Sequence, residues 1–178
     1  MRSIVIVASR DGNTRLVAEA IANGLRSVGR AEVLRAERGA AAAVTDEVDL
    51  VVIGGPTEEH GMTEAVSDVL DVLASRCAPR FAAAFDTRLR WPRFLSGSAA
   101  DRIAERLEAM GARMVASPES FMLSMKHELL PGELDRALAW GAGLDLASAP
   151  RYGDGRPPPP AEEGRAMTRP AHLGTLLG

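Results

Sequence analysis

The residues with the clearest chemical potential form one short loop, Ser9-Arg10-Asp11-Gly12-Asn13-Thr14, between an apolar run and a helical pattern. At such a strand-to-helix turn, successive backbone N–H groups point outward and the helix dipole favours an anion. Ser9, Asn13 and Thr14 can add side-chain donors, and Gly12 lets the backbone turn closely around a phosphate. A helix cap is the competing reading, since Asn13 or Asp11 could close the first turn without any ligand. The loop alone leaves both readings open. It is not a P-loop, because no Gly-Lys-Ser/Thr follows, and it lacks the three spaced glycines of a dinucleotide site. Asp11 puts a carboxylate beside the phosphate seat, where it repels the ligand unless turned away or paired, and Arg10 is a nearby cation to offset it.

The elements that must position this loop follow from apolar spacing. Ile4 to Ala8 is a continuous β-branched run, as expected of a strand buried on both faces of a parallel sheet. Val17, Ile21, Leu25 and Val28 mark one face of a helix that Gly29 stops. Ala31 to Ala36 reads as an edge strand, and Asp49 to Ile53 as a third strand ending in Gly54-Gly55-Pro56. Val66, Val69, Leu70 and Leu73 predict the next helix, and Phe81 to Phe85 a fourth strand. A helix follows between about Ser98 and Met110, stopped by Gly111. Arg113 to Ala116 and Phe121 to Leu123 read as a fifth strand interrupted around Pro118. Pro131 suits the first turn of a last helix with Leu134, Leu138 and Ala142 on one side. This alternation predicts an α/β doubly wound, five-stranded parallel sheet with right-handed crossovers. In such a sheet ligands bind at the carboxyl ends of the strands, which directs attention to the loops after strands one, three and four.

With Ser9, the run Gly12-Asn13-Thr14 resembles the phosphate loop of flavodoxins, Thr/Ser-x-Thr-Gly-Asn-Thr, from which Asp11 departs. A Ser-x-Asp-Gly arrangement is also similar to menaquinone-dependent protoporphyrinogen dehydrogenases, which are flavodoxin-like flavoproteins themselves. Gly54-Gly55-Pro56-Thr57 and the residues on to Met62 look like the segment that runs along the edge of the isoalloxazine ring in flavodoxin-domain proteins. The resemblance extends through the helix and strand between about Gly97 and Val115, so it covers most of residues 1 to 145. It implies a flavodoxin-like fold with strand order 2-1-3-4-5 and bound FMN. Loop one, Ser9 to Thr14, would hold the phosphate. Gly55, Pro56, Thr57, His60 and Gly61 would meet the ring edge through backbone amides, with Gly61 able to permit a peptide flip. His60 has three readings: an exposed loop residue, a ring-stacking group, or a proton donor to flavin or quinone. Asp86, Thr87, Arg88 and Trp91 belong to the third loop; Trp91 could stack on the ring or, with Phe94, anchor the loop to the next helix. Arg88, Arg90 and Arg93 would raise the flavin's potential or recognise an acidic substrate or partner.

These features predict a flavodoxin-like domain over residues 1–147 and a flexible Pro-rich tail over 148–178, where Pro157 to Pro160 is a four-proline run. The expected function is FMN-based redox chemistry, passing electrons to or from a protein partner or a small-molecule donor or acceptor. If the protein is an enzyme, it would be a quinone- or porphyrinogen-type oxidoreductase. The reading from another class is a flavodoxin-fold binding or regulatory module that has lost FMN. A response-regulator receiver fails on residues: Gly54-Gly55 closes the third strand where an Asp is needed, and the only lysine, Lys126, is misplaced. A net charge of −3 and a pI near 5.7 argue against nucleic acid or an anionic membrane as partner. The single cysteine, Cys77, excludes a disulfide framework and reads as a structural thiol. His127 and His172 have no metal-ligand spacing with His60, so no metal is expected. The only apolar run near the N-terminus, Ile4 to Ala8, is too short for a signal peptide or a span, which makes the cytoplasm the expected location.

Overall fold

The computed structural model describes residues 1–58, 61–90 and 97–148. Its strands are β1 (Arg2–Val7), β2 (Arg30–Arg35), β3 (Leu50–Pro56), β4 (Phe81–Leu89), β5 (Arg113–Met114) and β6 (Glu119–Leu123). Its α-helices are α1 (Asn13–Leu25), α2 (Glu64–Arg76), α3 (Ala99–Ala109) and α4 (Glu133–Ala142). All strand pairs are parallel, in the order β2-β1-β3-β4-β5, with β6 also pairing to β4.

Period-two alternation along each strand divides the core between two faces. Ile4, Ile6, Val51 and Ile53 meet α2 and α3 through Val66, Leu70, Ile103 and Leu107. Val5, Val7, Val52 and Phe85 face the other way, toward Val17, Ile21 and Leu25 of α1 and Ala137 of α4. Each central strand is thus apolar on both sides, which is why the strands read as continuous runs. This is a doubly wound, flavodoxin-like fold. The interrupted fifth strand is real: β5 pairs with Phe81 and Ala82, while β6 pairs with Phe85 to Leu89.

Several details differ from the sequence expectation. The connection from β2 to β3, where the apolar spacing marks no element, carries a 3₁₀ segment, Arg38–Ala43, whose small Ala40 and Ala41 are buried. α1 stops at Leu25, leaving Val28 exposed in the turn that follows. Pro131 lies in the turn before α4, and Gly132 stands at the helix N-cap. Leu134 and Leu138, expected as the packed side of that helix, are 42% and 47% exposed. Ala137 and Gly141 pack inward instead, because α1 and α4 approach backbone to backbone at Gly24 and Gly141. A β-carbon on either glycine would overlap a carbonyl oxygen of the other helix, Leu138 O for Gly24 and Ile21 O for Gly141.

Cys77 sits at the end of α2 as expected, but it is exposed, with Sγ 3.8 Å from Asp46 Oδ1. Solvent exposure there replaces the packing role read from its sequence. The Pro-rich segment lies outside the described residues, apart from Ser148. Among the described residues, no helix is long and apolar enough to cross a membrane.

Candidate functional site

A cavity of about 720 Å³ opens at the carboxyl edge of the sheet, over the ends of β3, β4 and β6 and beside the start of α1. This edge includes the point between β1 and β3 where the direction of strand connection reverses.

The loop after β1 forms one wall, with Arg10, Asp11, Asn13 and Thr14 lining the cavity. Gly12 has φ 87, a left-handed conformation that a side chain would strain, and it stands at the N-cap of α1. Gly12 has no side chain with which to cap the helix, and neither Asn13 nor Asp11 plays the capping role. Ser9 Oγ instead accepts from Gly12 N at 3.2 Å and, at 3.4 Å, from Arg15 N. Among the described residues, the amides of Asn13 and Thr14 have no hydrogen-bond partner, as the first turn of a helix leaves them. Thr14 Oγ1 is 2.8 Å from Thr87 Oγ1 in a buried contact at the cavity floor. Two open amides at a helix start, beside a glycine turn and two hydroxyls, are the donor set a phosphate requires. The residues therefore fit the phosphate end of FMN.

The electrostatics of this wall differ from expectation in one respect. Arg10 does not offset Asp11; its Nη2 lies 3.5 Å from Glu58 Oε1, joining the first loop to the second. Both side chains are substantially exposed, so the pair contributes little stability. A carboxylate on the loop after β3 competes with Asp11 for the same guanidinium, and among the described residues the Asp11 carboxylate has no ion-pair partner.

The loop after β3 contributes Pro56, Thr57, Glu58 and Met62 to the cavity. Gly54 is pressed against the Phe85 ring, and Gly55 packs near Val66 and Ala8 beneath the loop rather than lining the cavity. Glu58 and Gly61 exchange two backbone hydrogen bonds, both 3.0 Å. Gly61 has φ 111, and the Arg102 side chain of α3 occupies the space a β-carbon would need. His60 lies outside the described residues.

From β4, Thr87, Arg88 and Leu89 line the cavity, and Arg88 is only 7% exposed. Asp86 lies behind the cavity wall and is completely buried. Its Oδ2 accepts from Thr57 Oγ1 at 2.9 Å, Ser98 Oγ at 2.8 Å and Ala100 N at 3.0 Å. Asp86 thus ties the second loop to the start of α3, where a carboxylate also complements the helix dipole. Arg90 is exposed beyond the end of β4, while Trp91, Arg93 and Phe94 lie outside the described residues.

The remaining wall comes from a region that the three-loop reading passes over. Leu123 at the end of β6 and His127 in the following turn both line the cavity. Asn13 Nδ2 donates to the His127 carbonyl at 2.6 Å, binding this turn to the start of α1. The rule that ligands sit at the carboxyl ends of strands applies equally to this last strand, and it was the available signal.

Fold and site together define a flavodoxin-like domain with an anion-receptive loop beside its carboxyl-edge cavity. No family model matches the chain, and no curated protein matches it by sequence. Among solved structures, a flavodoxin from the domain Archaea is 22% identical, with a TM-score of 0.65 over 83% of this chain and 99% of that one. Flavodoxin 1 from Bacillus cereus is also 22% identical, with a TM-score of 0.64 over 80% and 95%. The flavodiiron protein from Giardia intestinalis is 21% identical, with a TM-score of 0.67 over 80% of this chain but 35% of its own length.

Proposed function

We propose that this chain is an FMN-binding redox protein of the cytoplasm that exchanges electrons with a protein partner or a small molecule. The observation that carries the reading is the start of α1, where the uncapped Asn13 and Thr14 amides border the cavity beside Gly12. When bound, FMN supplies the electron-transfer chemistry, and the protein supplies binding, orientation and electrostatics. Loop one receives the phosphate, while Pro56, Thr57 and Met62 shape the opposite wall. The similarity to solved flavodoxins supports the same reading at the level of fold. Mixing the purified protein with FMN tests it: micromolar protein should quench flavin fluorescence. Absence of quenching would transfer the reading to a binding or regulatory module that has lost FMN, which the Asp11 carboxylate in the cavity wall favours.

Arg88 further separates this protein from a low-potential carrier. Arg88 lines the cavity and is only 7% exposed, and a positive charge so placed favours the negative charge that reduction brings. The midpoint potential is therefore expected above that of ordinary flavodoxins. Arg88→Gln should lower it by about 60 mV, equivalent to a tenfold change for one electron. Redox titration of the two FMN-loaded proteins checks this, and equal potentials would remove Arg88 from the tuning role.

A further inference from the structure

Among the described non-glycine residues, only His127 has a left-handed backbone, with φ 59. Side chains adopt that conformation at an energetic cost, and it persists where surrounding bonds enforce it, often at functional sites. His127 N donates to Ser124 O at 2.9 Å, and Ser124 N donates to Glu128 O at 2.8 Å, closing the turn. Asn13 Nδ2 then holds the His127 carbonyl at 2.6 Å from the first residue of α1. The turn is thereby pinned beside the helix start whose amides are open, and His127 lines the same cavity.

We propose that His127, as an imidazolium, pairs with the FMN phosphate and that Asn13 is the positioning residue that holds it there. This rests on the FMN reading above. Among the described residues, the other charged groups lining the cavity are Arg10 and Asp11 from loop one, Glu58 from loop two and Arg88 from β4. Lys126 and Glu128 flank the histidine in its own turn. Arg10 is already engaged by Glu58. Of these side-chain types, histidine is the one that ordinarily changes charge between about pH 5 and pH 8. A histidine side chain ordinarily carries charge at the acid end of that range and not at the alkaline end, so such a pair weakens as pH rises. The phosphate itself gains negative charge near pH 6, which acts in the opposite direction and remains when the histidine is removed. Riboflavin has the same ring system and no phosphate, so it lacks the pair altogether.

FMN and riboflavin titrations by fluorescence quenching, on the wild type, His127→Asn and Asn13→Ala, test the proposal. Asparagine tolerates the left-handed turn, so His127→Asn removes the imidazole ring while preserving the backbone. The wild-type dissociation constant for FMN should be about fivefold larger near pH 8 than near pH 6, as for a partly exposed charge pair. Riboflavin should show no such change, His127→Asn should abolish the fivefold loss, and Asn13→Ala should diminish it. A wild type that binds FMN equally well at both pH values overturns the proposal while leaving the FMN reading intact. The same holds if His127→Asn retains the wild-type pH dependence or if riboflavin shares it. A wild type that binds no FMN at either pH overturns both.

Discussion

Gly141→Val is expected to destabilise the protein by about 3 kcal/mol, because the added side chain meets backbone that cannot move aside. A β-carbon at Gly141 would overlap the Ile21 carbonyl oxygen and lie 2.9 Å from its carbon and Cα. Rotamer changes cannot relieve contacts with main-chain atoms of a hydrogen-bonded helix. The available relief is for α4 to retreat from α1, opening space beside Ile21 and Ala137, both fully buried in one core cluster. Retreat loses apolar burial and leaves voids that the surrounding side chains cannot fill. Urea denaturation provides the measurement, with a lower midpoint and an unchanged slope as the expected result. Leu138→Ala is the control: its side chain is 47% exposed, and its loss should change stability by only about 0.5 kcal/mol. A Gly141→Val protein within about 1 kcal/mol of wild type would mean that α1 and α4 are farther apart than the structure has them.

The same contact explains which parts of the fold are legible in the sequence. β1 and β3 can be read because burial on both faces demands unbroken apolar runs, and Ile4 to Val7 and Leu50 to Ile53 supply them. α2 can be read because Val66, Val69, Leu70 and Leu73 are its buried residues. The orientation of α4 is obscured by the residues that create its closest packing. Hydrophobic periodicity ranks Leu134 and Leu138 above Ala137 and Gly141, yet a close helix crossing selects small residues and turns the leucines outward. The candidate site divides in the same manner. Loops one and two carry local signatures, since a glycine turn and a run of small residues are constraints imposed by nearby backbone. Arg10 choosing Glu58 over Asp11 is a matter of side-chain geometry between loops, to which sequence adjacency is a poor guide. The placement of His127 depends on a hydrogen bond between residues 114 positions apart and on a left-handed turn at a residue type that does not require one.

Asp86→Ala should lower stability by about 3 kcal/mol and, on the proposal that the cavity holds FMN, weaken FMN binding about tenfold, because one buried oxygen organises two parts of the site. Asp86 Oδ2 receives hydrogen bonds from Thr57 Oγ1, Ser98 Oγ and Ala100 N, while the residue itself is fully buried. Alanine removes the acceptor and leaves three donors facing an apolar side chain. Each buried donor left unpaired costs about 1–3 kcal/mol, reduced where water or another acceptor reaches it. Ser98 also accepts from Asp101 N as the N-cap of α3, so losing its own acceptor loosens that helix start. Thr57 transmits the effect to function: it lines the cavity, and its hydroxyl accepts from Ala99 N at 3.0 Å while donating to Asp86. Without the carboxylate, the second loop loses a tie to α3 and Thr57 is free to leave its place in the wall. Asp86→Asn provides the discriminating comparison, since its amide oxygen can still accept from part of the donor set. It should recover part of the stability and most of the FMN affinity. Denaturation and FMN titration on both variants measure the two effects separately. If Asp86→Ala loses stability but binds FMN as the wild type does, the carboxylate supports the fold alone, and Thr57 keeps its position by backbone bonding.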